Sequence, residues 1–182
     1  MSWSFDGSGD YFEKTTSPDL AITFPYTMAI WAYATSSTDQ TALCISDGSA
    51  TAHRRELGLD AGENVDFLRD AGGTQNTIQT TSTVGLNAWH HLCCWASAAD
   101  SVAVYQDGAN KITGSTSRAP DAGTVINIGG KGSGIDEFTG RLAHAAIWSR
   151  VLSDNEILGL GASGLSPLLF PEGLIMYYPC GS

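Results

Sequence analysis

Two stretches, Trp89-His90-His91-Leu92-Cys93-Cys94-Trp95-Ala96 and Ser101-Val102-Ala103-Val104-Tyr105-Gln106-Asp107-Gly108, decide the fold. Both are short runs rich in aromatic and β-branched residues, and they predict strands at Trp89 to Ala96 and Val102 to Gln106. Asp107-Gly108 then fits a tight hairpin, because glycine accepts positive φ and aspartate tolerates it. Neighbours in a strand point to opposite faces, so His91 and Cys93 share a side only with Trp89 and Trp95.

The same rhythm runs outward in both directions, each run fenced by Gly, Asp, Asn, Ser or Pro. It predicts strands at Trp3 to Phe5, Tyr11 to Thr15, Tyr26 to Ala34, Ala42 to Ser46, Arg55 to Leu59, Val65 to Arg69 and Thr77 to Thr81. Beyond the hairpin come Ile112 to Ser115, Val125 to Ile128, Arg141 to Ser149 and Leu174 to Tyr178. One segment reads as helix: Ser153-Asp154-Asn155-Glu156 offers an N-cap and an acidic third position ahead of Ile157, Leu158 and Leu160. Gly159 and Gly161 hold it to one or two turns, and Gly161 to Gly164 reads as a loop. The fold class is all-β, an antiparallel two-sheet sandwich in one domain: residues 1–162 form the body and 163–182 an apolar tail with a closing strand.

Composition agrees, since only 15% of the 182 residues are charged. A chain of this length buries about 70% of its unfolded surface, so it needs no disulfide or metal to fold. The net charge of -10 and the scattered Lys and Arg, clustered only at Arg54-Arg55, leave no basic stripe for nucleic acid or anionic membrane. No apolar run reaches bilayer length and no signal peptide is visible. Cys44, Cys93, Cys94 and Cys180 are expected as reduced thiols, with a Cys44 to Cys180 bridge left open.

Five landmarks in order resemble the laminin G-like, concanavalin A-like jelly-roll modules. Phe5-Asp6-Gly7-Ser8-Gly9-Asp10-Tyr11 resembles their opening hairpin, and Tyr26-Thr27-Met28-Ala29-Ile30-Trp31-Ala32-Tyr33 their "F-T-I-S-A-W-V" strand. Trp89-His90-His91-Leu92-Cys93 is similar to "W-H-H-V-A", leading into Tyr105-Gln106-Asp107-Gly108, similar to "Y-V-D-G". Ile128-Gly129 stands at their "I-G", and Trp148 to Ile157 is similar to "Y-N-R-A-L-S-x-x-E-I". Where these modules carry Asp and Glu in "G-x-I-D-E-V", this chain has Ala143 and His144.

The resemblance implies architecture and a binding tendency, not a particular function. Glycoside hydrolysis needs two carboxylates flanking the bond, and the E-x-D-x-x-E spacing of the glucanases of this fold is missing. Glu63-Asn64-Val65-Asp66 and Asp136-Glu137 read as solvated loops, so no catalytic residues are expected and the protein is read as no enzyme. His91 is expected as a satisfied core histidine rather than a metal ligand. Trp31, Tyr33, Trp95 and Trp148 are the candidates for stacking on a sugar, against the reading that they fill the core. Asp47, Asp70, Asp107 and Asp136 are the candidate calcium ligands, against the reading that they make turns.

In the tail, Leu168, Leu169 and Phe170 between two prolines are a candidate docking arm, beside a closing strand at Leu174 to Tyr178. The leading functional expectation is a non-catalytic surface protein, a decoration or appendage of a phage particle that folds in the host cytoplasm and sits on the virion surface. Its expected partners are a capsid or tail surface, host-surface glycans, or copies of itself as a homo-oligomer. The alternative is a carbohydrate-binding lectin, with calcium as its cofactor.

Overall fold

The computed structural model describes residues 2–15, 22–48, 52–132 and 136–179. The strands are β1 (Trp3–Asp6), β2 (Phe12–Thr15), β3 (Tyr26–Ala34), β4 (Gln40–Ser46), β5 (Arg54–Leu59), β6 (Asn64–Ala71), β7 (Thr74–Thr83), β8 (Trp89–Ala98), β9 (Ser101–Gln106), β10 (Ala109–Gly114), β11 (Val125–Ile128), β12 (Thr139–Trp148) and β13 (Leu174–Tyr178). Helix α1 (Asp154–Gly161) and a 3-10 turn, Pro167–Leu169, complete the described elements. No helix among the described residues is long and apolar enough to cross a membrane.

The strands form two antiparallel sheets. One runs β1-β12-β3-β8-β9-β10 with β13 also paired to β12; the other runs β2-β11-β4-β5-β6-β7. The main core lies between them, where Tyr26, Met28, Ile30, Leu92, Cys94 and Val104 of the first sheet meet Leu43, Ile45, Leu57, Phe67, Ile126 and Ile128 of the second. These are alternate positions on each strand, as period-2 patterning requires. The hairpin at Asp107-Gly108 forms with positive φ at both residues, 53° and 75°.

Several expectations change. Phe5 to Tyr11 is not a hairpin: β1 pairs with β12 and β2 with β11, so the segment crosses from one sheet to the other. The ring contact of Trp3 with Phe12, 4.5 Å between centroids, ties the two strands across that crossing. Gly161 belongs to the helix, and the loop begins after it. Cys44, Cys93 and Cys94 are buried thiols, and Cys180 lies outside the described residues.

Arg54 and Arg55, the one adjacent basic pair, are both buried and face opposite ways. Arg55 points to the core side and donates to the carbonyl oxygens of Pro120 and Asp121, at 3.0 and 2.9 Å. Arg69 donates in the same way to the Thr116 carbonyl at 3.0 Å and to Asn76 Oδ1 at 2.6 Å. Two guanidinium groups thereby pin the long connection before β11, satisfying backbone acceptors that this loop cannot pair in a ladder.

The helix begins as its sequence dictates. Ser153 accepts from the Glu156 amide, Glu156 accepts from the Ser153 amide, and Arg150 pairs with Glu156 at 2.6 Å. Ile157 and Leu160 then point at the outer face of the first sheet. Strand β13 closes the same edge as β1, with Tyr178 beside Trp3 at 6.0 Å.

Candidate functional site

Across β12, β3 and β8 the register sets four rows on the outer face of the first sheet: Arg141–Tyr33–Trp89, Ala143–Trp31–His91, Ala146–Ala29–Cys93 and Trp148–Thr27–Trp95. Helix α1 and the strap after it roof the last two rows. Beneath that roof Ala29, Cys93, Ala146 and Trp148 pack with Tyr105, Leu152, Ile157 and Leu160 as a second small core. The first two rows stay open and form a cleft of about 520 Å³ lined by Ser2, Trp31, Trp89, Arg141, Ala143, His144 and Gly164.

Aromatic rings dominate the open half. Trp31 and Tyr33 are half-buried, and Trp89 is among the exposed large apolar side chains. Trp31 packs on His91 at 5.4 Å, Tyr33 on Trp89 at 5.7 Å, and the Arg141 guanidinium lies 4.3 Å over the Tyr33 ring. The register breaks between Ala143 and Ala146, where His144 adopts φ 53°. Such a bulge re-aims a side chain, here bringing His144 into the cleft wall beside Ala143 and against Tyr177, whose hydroxyl lies 2.8 Å from Nδ1. Burial lowers the His144 pKa.

The aromatic candidates therefore separate. Trp31 and Tyr33 stand together as expected, joined by Trp89, which the sequence reading had left aside. Trp148 is fully buried, with Nε1 donating to the Phe170 carbonyl at 2.8 Å, so it cannot stack on a ligand. Trp95 lies at the helix roof instead, donating to the Tyr105 hydroxyl at 2.8 Å with Lys111 5.6 Å over its ring. His91 is buried as expected but not satisfied: Nδ1 has no partner among the described residues, and burial pulls its pKa down to about 4. Burial pushes the Cys93 and Cys94 thiols up, which leaves no nucleophile beside it.

The four aspartates do not converge. Asp70 is buried against Arg54 and bonds the Gly73 amide at 2.7 Å. Asp107 fastens the hairpin to β8 through the His91 amide and His90 Nδ1, both at 2.8 Å. Asp136 pairs with Lys131 at 2.5 Å. Asp47 alone gathers other donors, with His53 and Asp121, whose ligand atoms and its own lie within 4.8 Å of one another and could hold an ion. In the tail, Leu168 and Leu169 are 61% and 62% exposed, whereas Phe170 turns in against the second core.

The outer face of the second sheet carries a different surface, which the sequence reading missed. Strands β4, β5, β6 and β7 set the rows Thr41–Gly58–Asp66–Gln79, Cys44–Glu56–Leu68–Thr77 and Ser46–Arg54–Asp70–Gln75. They floor a polar cleft of about 500 Å³, to which Asp39, Gln40, Asp60, Lys131 and Asp136 also contribute. Asp66 is thus a strand residue rather than part of a solvated loop. Burial, and then the carboxylates of Glu56, Asp60 and Asp39, raise its pKa to about 8. Glu137, also expected in a solvated loop, is buried and accepts from the Gly9 amide. Alternation on β5 and β6 was the available signal for this face, because Arg54, Glu56, Asp66, Leu68 and Asp70 fall on one parity.

Comparison with known proteins agrees with the sandwich fold. Pentraxin-related protein PTX3 of Mus musculus is 29% identical over 149 residues, 75% of this chain and 38% of the relative; the Homo sapiens protein is 28% identical over 151 residues, 76% and 39%. The chain thus spans about two-fifths of the length of these curated relatives. Among solved structures, the CBM40 module of a Ruminococcus gnavus sialidase bound to α2,3-sialyllactose superposes with TM-score 0.72 at 16% identity, covering 88% of this chain and 96% of that one. Domain 4 of the Geobacillus stearothermophilus arabinanase AbnA, in complex with arabinotriose, gives 0.71 at 15%, covering 88% and 76%. The heptameric SAP-like pentraxin of Limulus polyphemus gives 0.69 at 16%, covering 90% and 82%. At such identities these structures bear on fold alone. The match that decides membership is that of residues 6–158 to a family model, and by it the chain belongs to the concanavalin A-like lectin/glucanases superfamily.

Proposed function

We propose that this domain is a non-catalytic glycan-binding module that takes its ligand in the aromatic cleft. The observation that carries the reading is the open half of the outer sheet face, where Trp31, Trp89 and Arg141 line the cleft and the Arg141 guanidinium stacks on Tyr33, itself packed on Trp89. Aromatic faces stack on the C–H faces of sugars, and a guanidinium supplies donors in a fixed plane. Two of the similar structures hold sugars, sialyllactose and arabinotriose, which supports a saccharide here as well. Nothing in the comparisons bears on a phage particle, so the glycan-binding alternative takes precedence over decoration.

The linings support a binding rather than a hydrolytic role. No carboxylate lines the aromatic cleft among the described residues. In the polar cleft Glu56 is taken up by Arg54 and by Thr41 Oγ1, which donates at 3.1 Å, so it is not a free acid or base for a glycosidic bond.

A glycan array followed by calorimetry tests the proposal. Trp31→Ala and Trp89→Ala are expected each to weaken the best ligand by about tenfold or more while Trp95→Phe leaves it unchanged. A blank array, or turnover of an oligosaccharide, would overturn it.

A further inference from the structure

We infer that Arg141 makes the aromatic cleft selective for an anionic ligand, one that sets a carboxylate or a sulfate group against the guanidinium. The inference rests on the glycan-binding reading of that cleft and adds its charge class. Arg141, Trp31 and Trp89 line the cleft with Ser2 and His144, and no carboxylate joins them among the described residues. Burial lowers the His144 pKa, and its Nδ1 meets the Tyr177 hydroxyl at 2.8 Å. At neutral pH the positive charge of the lining is therefore that of Arg141.

That charge is unopposed from within the protein. Arg54, Lys111, Lys131 and Arg150 each pair with a carboxylate, whereas Arg141 has no ion pair or hydrogen bond among the described residues and lies over the Tyr33 ring at 4.3 Å. Acids are plentiful in a chain of net charge -10, yet those of the surrounding elements are turned to other work. Asp6 shares the outer face two residues beyond Ser4, the β1 partner of Arg141, but it accepts from the Ser8 amide at 2.8 Å and lies outside the lining. Asp107 spends its oxygens on the His91 amide and His90 Nδ1, both at 2.8 Å.

The hydrogen-bonding character of the lining points the same way. A guanidinium and an indole donate and cannot accept, so Arg141, Trp31 and Trp89 present donors alone. None of the three has a hydrogen-bond partner among the described residues. Stacking on Tyr33 holds the guanidinium in place and leaves its N–H groups unspent. A carboxylate or a sulfate accepts at two oxygens at once, and such a fork-to-fork match is charge-assisted. An ammonium on the ligand would meet like charge instead, and a neutral hydroxyl would satisfy these donors one at a time.

The test is a glycan array that sets tetramers of glucose, galactose and mannose beside their hexuronate and 6-sulfated forms, followed by calorimetry on the tightest trio at low and high salt. An acidic form is expected to bind about tenfold or more tighter than its neutral form, with the gap narrowing as salt rises. Which acidic form leads tells carboxylate from sulfate. Arg141 is exposed, so Arg141→Gln should melt with wild type while bringing acidic and neutral forms within about threefold of each other. Trp31→Ala should weaken both forms alike, because it removes stacking rather than charge. Neutral forms bound as tightly as acidic ones, or an acidic preference that persists in Arg141→Gln, would overturn the inference and leave the glycan-binding reading in place; a blank array would overturn both.

Discussion

The indole of Trp148 donates from Nε1 to the carbonyl oxygen of Phe170 at 2.8 Å, and this bond ties the strap after α1 to the outer face of the first sheet. It removes Trp148 from ligand contact and Phe170 from any docking arm in one step. Trp148→Ala is expected to cost about 3–5 kcal/mol by chemical denaturation, as for other buried large side chains. Leu168→Ser, at a 61% exposed position, should stay within about 0.5 kcal/mol of wild type. If the two variants melted alike, the strap would not be packed as described.

Helix α1 meets the β9–β10 hairpin through glycines. A Cβ on Gly161 would fall 2.2 Å from the Gly108 amide nitrogen, a contact between two backbones with nothing flexible to yield. Gly161→Ala should therefore destabilise by about 1–3 kcal/mol through overpacking, although alanine is the better helix former by about 1 kcal/mol. A rise in Tm would show instead that the helix can shift.

Asp66 links stability to pH. Its folded pKa of about 8 stands above the ordinary 3.8, so the folded state holds a proton that the unfolded chain releases. The folded state is thus favoured most below pH 3.8, and that advantage is lost as pH rises to about 8, where both states are ionised. Asp66→Asn keeps the neutral form throughout. Its Tm relative to wild type should climb between pH 5 and pH 8 and then level; a difference independent of pH would place the carboxylate in contact with water.

Calcium is expected to leave the protein unmoved. Asp70, Asp107 and Asp136 are each engaged by side chains or amides in different parts of the fold. Millimolar calcium should shift Tm by less than about 1 °C, as should its removal by chelator. A chelator-reversible rise of several degrees, abolished by Asp47→Asn, would instead assign an ion to Asp47, His53 and Asp121.

What the sequence determined was whatever depends on nearest neighbours. Strands β3, β11 and β13 fall at the expected bounds because alternation and turn residues act within a few positions. The Asp107-Gly108 hairpin and the Ser153–Glu156 capping box form for the same reason: each is a local match between side chain and backbone. Order along the chain likewise carried the superfamily, since its landmarks are strand and turn signatures.

Only tertiary structure decided which surfaces are open. Trp31, Tyr33, Trp95 and Trp148 come from three strands and share one face, so alternation treats them alike. Two remain at the cleft while Trp148 is sealed and Trp95 is held at the roof, because a helix that follows the last of those strands covers half of that face. The polar cleft was hidden similarly: Asp66 is close to Glu63 in sequence, but its proton affinity depends on Glu56 across the sheet and on Asp60 and Asp39 at the cleft. Parity along a strand is local geometry and can be read from residue order, whereas burial and electrostatics sum over groups that only the closed sheets bring together.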